Sequence, residues 1–304
     1  MAEQFKHLYD TYLVKPANSI LHNPFRLHIK ENDLFTDIIT NKTPVDVQDE
    51  FLNFYPEWIT SSKLNSFTGL DSFPYKYVAL GVTQGIDDFV LYCLKNNKRI
   101  RTCRGEYGYG IEISPQHPQY EDADLVAGDA LIISCPFSAT GDKHEQWDTI
   151  IETCNKLDIP VFVDCAFFGT CMNITVDFDQ PCINTVSFSP TKGLNCGNMR
   201  TGMTLSKRQG RDCSLDILSK WHHGIHMHTY FAFNLMKAFG PDTIPNAYRQ
   251  IQIDVCNHYG LVPTNSIHLA TGGDDWSYFD RGNGVNRICL RNPIFDMANK
   301  GTIQ

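Results

Sequence analysis

Short apolar runs alternate with helix-like segments through the middle of the chain. Runs rich in β-branched and aromatic residues predict buried strands, and amphipathic stretches between them predict helices. The predicted strands are 77–82, 99–103, 129–134, 159–163 and 185–189, with a further candidate at 202–205. Apolar positions recur at helical spacing in two segments: Ile86, Phe89, Val90, Cys93 and Leu94 in the first, and Trp147, Ile150, Ile151, Cys154 and Leu157 in the second.

This alternation favours an α/β fold, with a mostly parallel wound sheet and helices on both faces. Near both chain ends the alternation gives way to helical and irregular stretches, with one late strand predicted at 286–290. We therefore predict a large domain over 45–230 and a small α+β domain built from 1–44 and 231–304.

Polar positions follow several of the predicted strands. Gly85, Asp164 and the segment 189–192 each come after a strand. In a wound sheet, ligands bind beyond the carboxyl ends of the strands. We therefore expect these positions to share one edge of the sheet.

Composition and charge narrow the classes of partner. The net charge of the 304 residues is −8, which argues mildly against nucleic acid and anionic membranes. The start lacks a basic leader followed by an apolar run, and no apolar stretch is long enough to span a bilayer. The eleven cysteines include no C-x-x-C pair, so reduced buried thiols are favoured over disulfides. We predict a cytoplasmic protein without nucleic acid or membrane partners.

The segment SFSPTKGLNCGNMRTG (187–202) holds the residues with the clearest chemistry. The Lys192 amine can form a Schiff base with an aldehyde, and Ser189 and Arg200 suit a phosphate dianion. Taken alone, the segment could equally hold a surface lysine and arginine beside a glycine turn.

This segment resembles the Schiff-base lysine segment of fold-type I pyridoxal-phosphate-dependent enzymes. More narrowly, it resembles the class I and II aminotransferases, which include the aspartate aminotransferases. Their pattern has a serine three residues before the lysine, then an arginine and a glycine, as at Ser189, Arg200 and Gly202. Asn198 matches the aspartate aminotransferase version. The resemblance implies that pyridoxal 5'-phosphate is the cofactor and that Lys192 carries it.

Two further motifs extend the resemblance, with departures. Asp164 in VFVDCAFFG resembles the family's aspartate that pairs with the pyridine nitrogen, although a capping aspartate is the structural alternative. Phe167 stands where the family has a tyrosine. In CPFSATGD, Ser138 stands where the family has an asparagine. The resemblance places both side chains beside the cofactor's ring oxygen.

The phosphate and the ring also have expected contacts. Gly85 and Ile86 resemble the family's phosphate cup, in which backbone amides at a helix N-terminus hold the phosphate. Tyr107 in RGEYGYG is expected to stack on the pyridine ring, with Tyr109 as the alternative. Both could instead be core or turn tyrosines.

A late arginine resembles the residue that grips the substrate's α-carboxylate. Arg287 in GVNRICLRNP is the first choice and Arg291 the second, with a surface arginine as the alternative. Tyr55 is expected to reach the partner subunit's phosphate.

WHHGIHMHTY (221–230) is rich in histidine. His226, or else His228, is expected to contact substrate or phosphate, and plain structural histidines are equally favoured. A metal pair of His222 and His226 on one helix is less favoured, and we predict no metal site.

The resemblance implies a homodimer with shared active sites. Its reaction would move an amino group between an amino acid and a 2-oxo acid through the Lys192 Schiff base. Two alternatives stay open. One is a different pyridoxal-phosphate reaction at an amino acid, such as that of a lyase, decarboxylase, racemase or oxidase. The other is a non-catalytic scaffold on a decayed enzyme fold, since fold alone does not decide function.

Overall fold

A six-stranded, mostly parallel sheet forms the centre of the protein. The computed structural model describes residues 43–114, 125–194, 196, 199–222 and 225–300. The strands are β1 (Ser66–Thr68), β2 (Tyr75–Ala79), β3 (Arg99–Thr102), β4 (Asp129–Ser134), β5 (Val161–Cys165), β6 (Thr175–Asp177), β7 (Ile183–Phe188), β8 (Gly202–Ser206), β9 (Val262–Pro263), β10 (Leu269–Gly272) and β11 (Asn286–Cys289).

Helices cover the sheet and fill the connections between strands. They are α1 (Pro44–Thr60), α2 (Val82–Lys95), α3 (Tyr109–Glu112), α4 (Trp147–Leu157), α5 (Ser214–Lys220), α6 (His226–Ala238), α7 (Thr243–Tyr259) and α8 (Arg291–Lys300). Three 3₁₀ turns complete the described elements, at Leu70–Ser72, Gly210–Asp212 and Asp274–Phe279.

The strand order of the main sheet is β2-β8-β7-β5-β4-β3. Strands β3, β4, β5 and β7 are parallel, whereas β8 is antiparallel to both of its neighbours. Every residue of β4, β5 and β8 is buried, as expected for strands covered on both faces. The predicted α/β fold with a mostly parallel sheet is confirmed.

Two smaller sheets accompany the main one. Strands β1 and β6 form a parallel pair, and β9, β10 and β11 form an antiparallel sheet in the order β11-β10-β9. Strand β11 confirms the late strand predicted at 286–290. The proposed domain boundaries stay a prediction, and residues 1–42 lie outside the described part of the chain.

The boundary between β2 and α2 differs from the expected one. The apolar run 77–82 predicted a strand up to Val82, but β2 ends at Ala79 and α2 begins at Val82. Gly81 lies between them with a φ of 75°, a conformation that side-chain-bearing residues rarely adopt. Leu94, expected on the buried face of α2, is 48% exposed.

All eleven cysteines are free thiols, and ten of them are buried. Burial raises the pKa of both Cys93 and Cys135 to about 12, so these thiols stay protonated at neutral pH. No helix among the described residues is both long enough and apolar enough to cross a membrane.

A buried ion pair ties α2 to the turn that follows β8. Arg208 Nη2 lies 2.6 Å from Asp88 Oδ2, and both side chains are almost fully buried. The Arg208 guanidinium also lies over the Tyr92 ring, 4.7 Å from its centroid. The backbone amide and the hydroxyl of Ser214 donate to the other carboxylate oxygen of Asp88. This network holds α2 in place against the sheet.

Removing the charge of Asp88 should destabilise the protein. Asp88→Asn leaves the Arg208 guanidinium buried without its counter-charge, and loss of one partner of a buried pair costs about 3 kcal/mol. The matched control is Asp148→Asn, because Asp148 pairs with Lys143 while its side chain is 90% exposed. The control should change the unfolding free energy by less than ~0.5 kcal/mol. Urea denaturation checks both values, and equal effects would contradict the structural role of the buried pair.

Candidate active site

The predicted site residues converge on one edge of the main sheet. This edge is formed by the carboxyl ends of the parallel strands. Because β8 runs in the opposite direction, its first residue lies at the same edge. Residues near these strand ends are Tyr107 after β3, Ser138 after β4, Asp164 in β5, Ser189 and Lys192 after β7, and Arg200 before β8.

Lys192 is partly buried, and its amine lies near both acidic and basic side chains. Its Nζ is 4.3 Å from the centroid of the Phe167 ring. Burial lowers the pKa of Lys192, Arg287 and Arg200 lower it further, and Asp164 opposes them. A lysine with a lowered pKa has more of the neutral amine, which is the nucleophilic form.

Asp164 is the acidic counterpart of this amine. Burial raises the pKa of the Asp164 carboxyl, whereas the charge of Lys192 and a hydrogen bond from the Ala166 amide favour the ionised form. The Ala166 amide donates to Oδ1 over 2.7 Å. A buried carboxylate in this position suits a cationic partner such as a protonated ring nitrogen.

The start of α2 forms a cradle for an anion. A Cβ atom on Gly81 would lie 3.3 Å from Arg200 Nη2 and 3.6 Å from Ser189 Oγ. Arg200 Nη2 donates to Thr83 Oγ1 over 3.3 Å. The first amides of α2, from Val82 onwards, have no partner within the helix. An arginine, hydroxyl groups and helix-start amides are the groups that bind a phosphate dianion.

Gly85 and Ile86, predicted as the phosphate cup, are not part of this cradle. A Cβ atom on Gly85 would lie 2.8 Å from Ser187 Oγ, so this glycine packs α2 against β7. The Ile86 side chain is buried in the core under the helix. Because α2 begins at Val82, both residues lie in its second turn, where backbone amides bond within the helix. The cup prediction was one helical turn too late.

Arg287 lies next to Ser138. Its Nη1 donates to the Ser138 carbonyl oxygen over 2.8 Å and to the Ser138 hydroxyl over 3.2 Å. Its charge also lowers the pKa of Lys192. The structure therefore brings the predicted carboxylate-binding arginine, the ring-oxygen serine and the lysine together. Arg291, the second choice, is the first residue of α8 and contacts Asn292.

Tyr107 is the aromatic side chain predicted to stack on a pyridine ring bound in the site. It is 46% exposed, and its pKa is raised by burial and by Asp164, with Arg200 opposing. Its ring is nearly parallel to that of Tyr109, with 6.1 Å between centroids. The Tyr109 hydroxyl donates to Asp87 on α2 over 2.7 Å, which holds Tyr109 on that helix.

Tyr55 cannot reach a partner subunit. Its side chain is fully buried between α1 and the sheet, where its ring packs against Phe51, Trp58 and Phe188. The prediction for Tyr55 is wrong because aromatic residues at helical spacing in α1 form part of the core.

The histidine-rich segment is arranged differently from the prediction. His226 Nε2 lies 2.8 Å from the His222 carbonyl oxygen, so its ring closes the turn before α6, and its contact with substrate or phosphate stays a prediction. His222 lies outside that helix with a φ of 49°, which excludes the helical metal pair. His228 Nδ1 is 3.1 Å from the Arg200 carbonyl oxygen, so its ring contacts the backbone of Arg200. Asn198 lies outside the described residues.

No metal-binding group of histidine, cysteine, aspartate and glutamate side chains occurs within the part of the chain that the structure describes.

Two buried residues of the site escaped the sequence analysis. His268 lies beside Lys192, with 6.3 Å between its ring centroid and that of Phe167. Burial and the charges of Lys192 and Arg291 lower the pKa of His268 to about 3, which keeps its ring neutral. Glu106 is a buried carboxyl that accepts hydrogen bonds from Ser134. His268 lies outside every motif of the sequence analysis, whereas Glu106 directly precedes Tyr107 in RGEYGYG, where its own side chain was not considered.

Comparisons with known proteins bear on the family and the fold. The family model for aminotransferase class I and II matches residues 116–239. No curated protein sequence matches the chain.

Among solved structures, the chain is similar to Pyrococcus protein-A1, with 13% identity, a TM-score of 0.67 and coverage of 97% of this chain and 92% of that one. It is also similar to an aromatic aminotransferase from Pyrococcus horikoshii OT3, with 13% identity, a TM-score of 0.63 and coverage of 88% and 87%. A third similar structure is a pyridoxal-phosphate-bound C-S lyase from Staphylococcus hominis, in complex with L-cycloserine. It shows 12% identity, a TM-score of 0.55 and coverage of 90% and 75%.

These identities show a shared fold, and the family match adds a sequence relationship over the segment that contains Asp164, Lys192 and Arg200. The resemblance found in the motifs is therefore confirmed. Over residues 116–239 the chain matches the family model for aminotransferase class I and II, and its fold is similar to those of an aromatic aminotransferase and a pyridoxal-phosphate-bound C-S lyase.

Proposed function

We propose that the chain is a pyridoxal-phosphate-dependent aminotransferase in which Lys192 binds the cofactor covalently. The observation that carries the proposal is the convergence of three groups at one sheet edge. They are the buried Lys192 amine for an aldehyde, the Asp164 carboxyl for a ring nitrogen, and the cradle at Gly81 and Arg200 for a phosphate. Each group suits a different part of pyridoxal phosphate, so the residues present fit the cofactor.

Lys192 has two tasks in this proposal. Its neutral amine is the nucleophile that attaches to the cofactor's aldehyde. As a free amine, Nζ would accept the proton from the substrate's Cα and return it elsewhere. When bound, pyridoxal phosphate supplies an electron sink for the electron pair left at Cα. Asp164 stabilises positive charge on the ring nitrogen, and its burial makes that interaction strong.

Arg287 is the group proposed to bind the α-carboxylate of the amino acid or 2-oxo acid. An arginine can bind a carboxylate through two parallel hydrogen bonds, which also orients the Cα–H bond for proton removal. The hydrogen bonds to Ser138 hold the guanidinium beside Lys192. Assembly as a homodimer with shared active sites and a cytoplasmic location both stay predictions.

A second reaction on the same site is a lyase reaction. Phe167 stands where the resemblance implies a tyrosine and lies under the Lys192 amine, so this side of the site departs from the aminotransferase pattern. The similar C-S lyase structure shows that this fold also occurs in lyases. A product assay separates the two reactions. An aminotransferase needs a 2-oxo acid acceptor, whereas a lyase releases ammonia from one substrate without an acceptor.

Covalent attachment at Lys192 can be tested directly. The purified protein with pyridoxal phosphate should show a visible absorbance band that borohydride abolishes, and peptide mapping should then locate the reduced cofactor on Lys192. Lys207 is the internal control, because burial lowers its pKa too while it lies at the opposite end of β8. Labelling of Lys207 to the same extent would mean unspecific reaction with low-pKa amines. A Lys192→Ala variant that still forms the reducible band would overturn the proposal.

The phosphate cradle gives a second prediction. Gly81→Ala places a methyl group 3.3 Å from Arg200 Nη2, in a backbone conformation that strains any side chain. We expect pyridoxal phosphate to bind about tenfold more weakly, equal to ~1.4 kcal/mol. Gly240→Ala is the matched control, because its Cβ would meet no atom within 4 Å. Titration of the apo-protein with the cofactor measures both affinities, and unchanged binding in Gly81→Ala would remove the cradle from the proposal.

A further inference from the structure

A chain of hydrogen bonds leads from Arg287 into the sheet and ends on a buried carboxyl. Arg287 Nη1 donates to the Ser138 carbonyl oxygen over 2.8 Å. The Ser138 amide donates to Ser134 Oγ over 2.8 Å, and the Ser134 hydroxyl donates to Glu106 Oε1 over 2.5 Å. Every donor in this chain points the same way, from the guanidinium towards the carboxyl. The backbone of Ser138 and the side chain of Ser134 therefore connect the guanidinium to the carboxyl.

The Glu106 carboxyl also holds the segment that carries Tyr107. Oε1 accepts a second hydrogen bond from the Tyr107 amide over 2.8 Å, and Oε2 accepts one from the Ser134 amide over 2.7 Å. The residue is only 6% exposed. One buried side chain therefore connects the loop after β3 with the loop after β4.

We propose that Glu106 is a positioning residue of the active site, whose carboxylate aligns Arg287 for the substrate's carboxylate through Ser134 and Ser138. The inference rests on the proposed function, because Arg287 is the carboxylate-binding group of that proposal. Glu106 itself touches neither cofactor nor substrate.

The arrangement requires a carboxylate and not a neutral group of similar shape. Both Glu106 oxygens accept hydrogen bonds from backbone amides. If either oxygen carried a proton, or were replaced by an amide nitrogen, two hydrogen-bond donors would face each other. A glutamine in either orientation therefore leaves one amide without an acceptor, at a cost that is large for a buried group. The Ser134 hydroxyl could then also reverse its direction, which breaks the chain to Ser138.

The protonation of Glu106 links this chain to pH. Burial raises the pKa of Glu106 to about 7, and the charge of Asp164 on β5 acts in the same direction, whereas the three hydrogen bonds lower it. Further titratable groups near Glu106 are Tyr107, Cys135 after β4, and Arg281 before β11, which donates to the Glu106 carbonyl oxygen. Because the pKa is above its ordinary value, ionisation costs folding stability as the pH rises through about 7. Ionisation of Glu106 also provides the carboxylate at the end of the chain of hydrogen bonds that leads to Arg287.

The test compares Glu106→Gln and Ser134→Ala with the wild type, all as the pyridoxal-phosphate-loaded protein. Ser187→Ala is the matched control, because it removes a buried hydroxyl that pairs with Thr204 away from the chain. We expect borohydride labelling at Lys192 to persist in all proteins. Glu106→Gln and Ser134→Ala should raise KM for the amino acid about tenfold or more, with kcat changed much less. In the wild type, kcat/KM should rise through about pH 7, and Glu106→Gln should lack this step.

A binding measurement separates this inference from the proposed function. Calorimetry with isobutyrate, a carboxylate that cannot react, should show weaker binding to Glu106→Gln and Ser134→Ala than to Ser187→Ala. Absence of labelling at Lys192 in the wild type would defeat the proposed function but leave this comparison intact. Equal isobutyrate affinities, or a pH step that persists in Glu106→Gln, would overturn the positioning role. If isobutyrate bound equally weakly to Glu106→Gln, Ser134→Ala and Ser187→Ala, the effect would be one of general packing. That result would also overturn the positioning role of Glu106.

Discussion

The burial of the Lys192 amine is the constraint on which the arrangement of the site depends. Two guanidinium groups, those of Arg200 and Arg287, lie close enough to disfavour its charge, and Asp164 is the carboxyl that opposes them. An uncompensated charge in a protein interior is expensive, so the amine must either lose its proton or interact with the carboxylate. The protein interior has a low dielectric constant, which strengthens the electrostatic interaction of each of these groups with an anion or cation that enters the site. A phosphate or a carboxylate that enters the site therefore changes the balance that sets the reactivity of the amine.

The reversed direction of β8 makes this collection of groups possible. Because β8 starts at the edge where the parallel strands end, Arg200 reaches the site from before a strand, while Ser189 reaches it from after one. Gly202, the first residue of β8, lies so close to β7 that a Cβ atom would be 2.3 Å from the Phe188 carbonyl oxygen. The close approach of these two strands keeps Arg200 and Ser189 at the same edge of the sheet.

Regular patterns made much of the fold predictable. Strand β4 and helix α4 have the predicted bounds, because their apolar positions follow strand and helix periods without interruption. The start of α2 was misplaced because Val82 continues the apolar run of β2, and only the backbone conformation of Gly81 separates the two elements. The order of the motifs along the sequence likewise indicated Asp164, Lys192 and Arg200 as site residues. In the structure they lie near one edge of the main sheet.

Other parts of the site could not be read from the sequence. Tyr55 was assigned by resemblance, although its spacing from Phe51 and Trp58 is typical of a buried helix face. Glu106 and His268 gain their roles from residues about 30 and 75 positions away in the chain, which only tertiary structure brings together. A lone glutamate or histidine carries no periodicity and no local motif that could indicate such a partner.

The distribution of thiols has a practical consequence for following the protein in solution. Ten cysteines are buried, and burial raises the pKa of most of them, so reagents that need an exposed thiolate cannot react with these groups in the folded chain. Cys289 is the partly exposed exception, and it lies on β11 two residues after Arg287. A fluorophore attached by maleimide chemistry would therefore mark one position, on the strand that carries Arg287. Its emission would report the occupancy of the site without a chemical reaction.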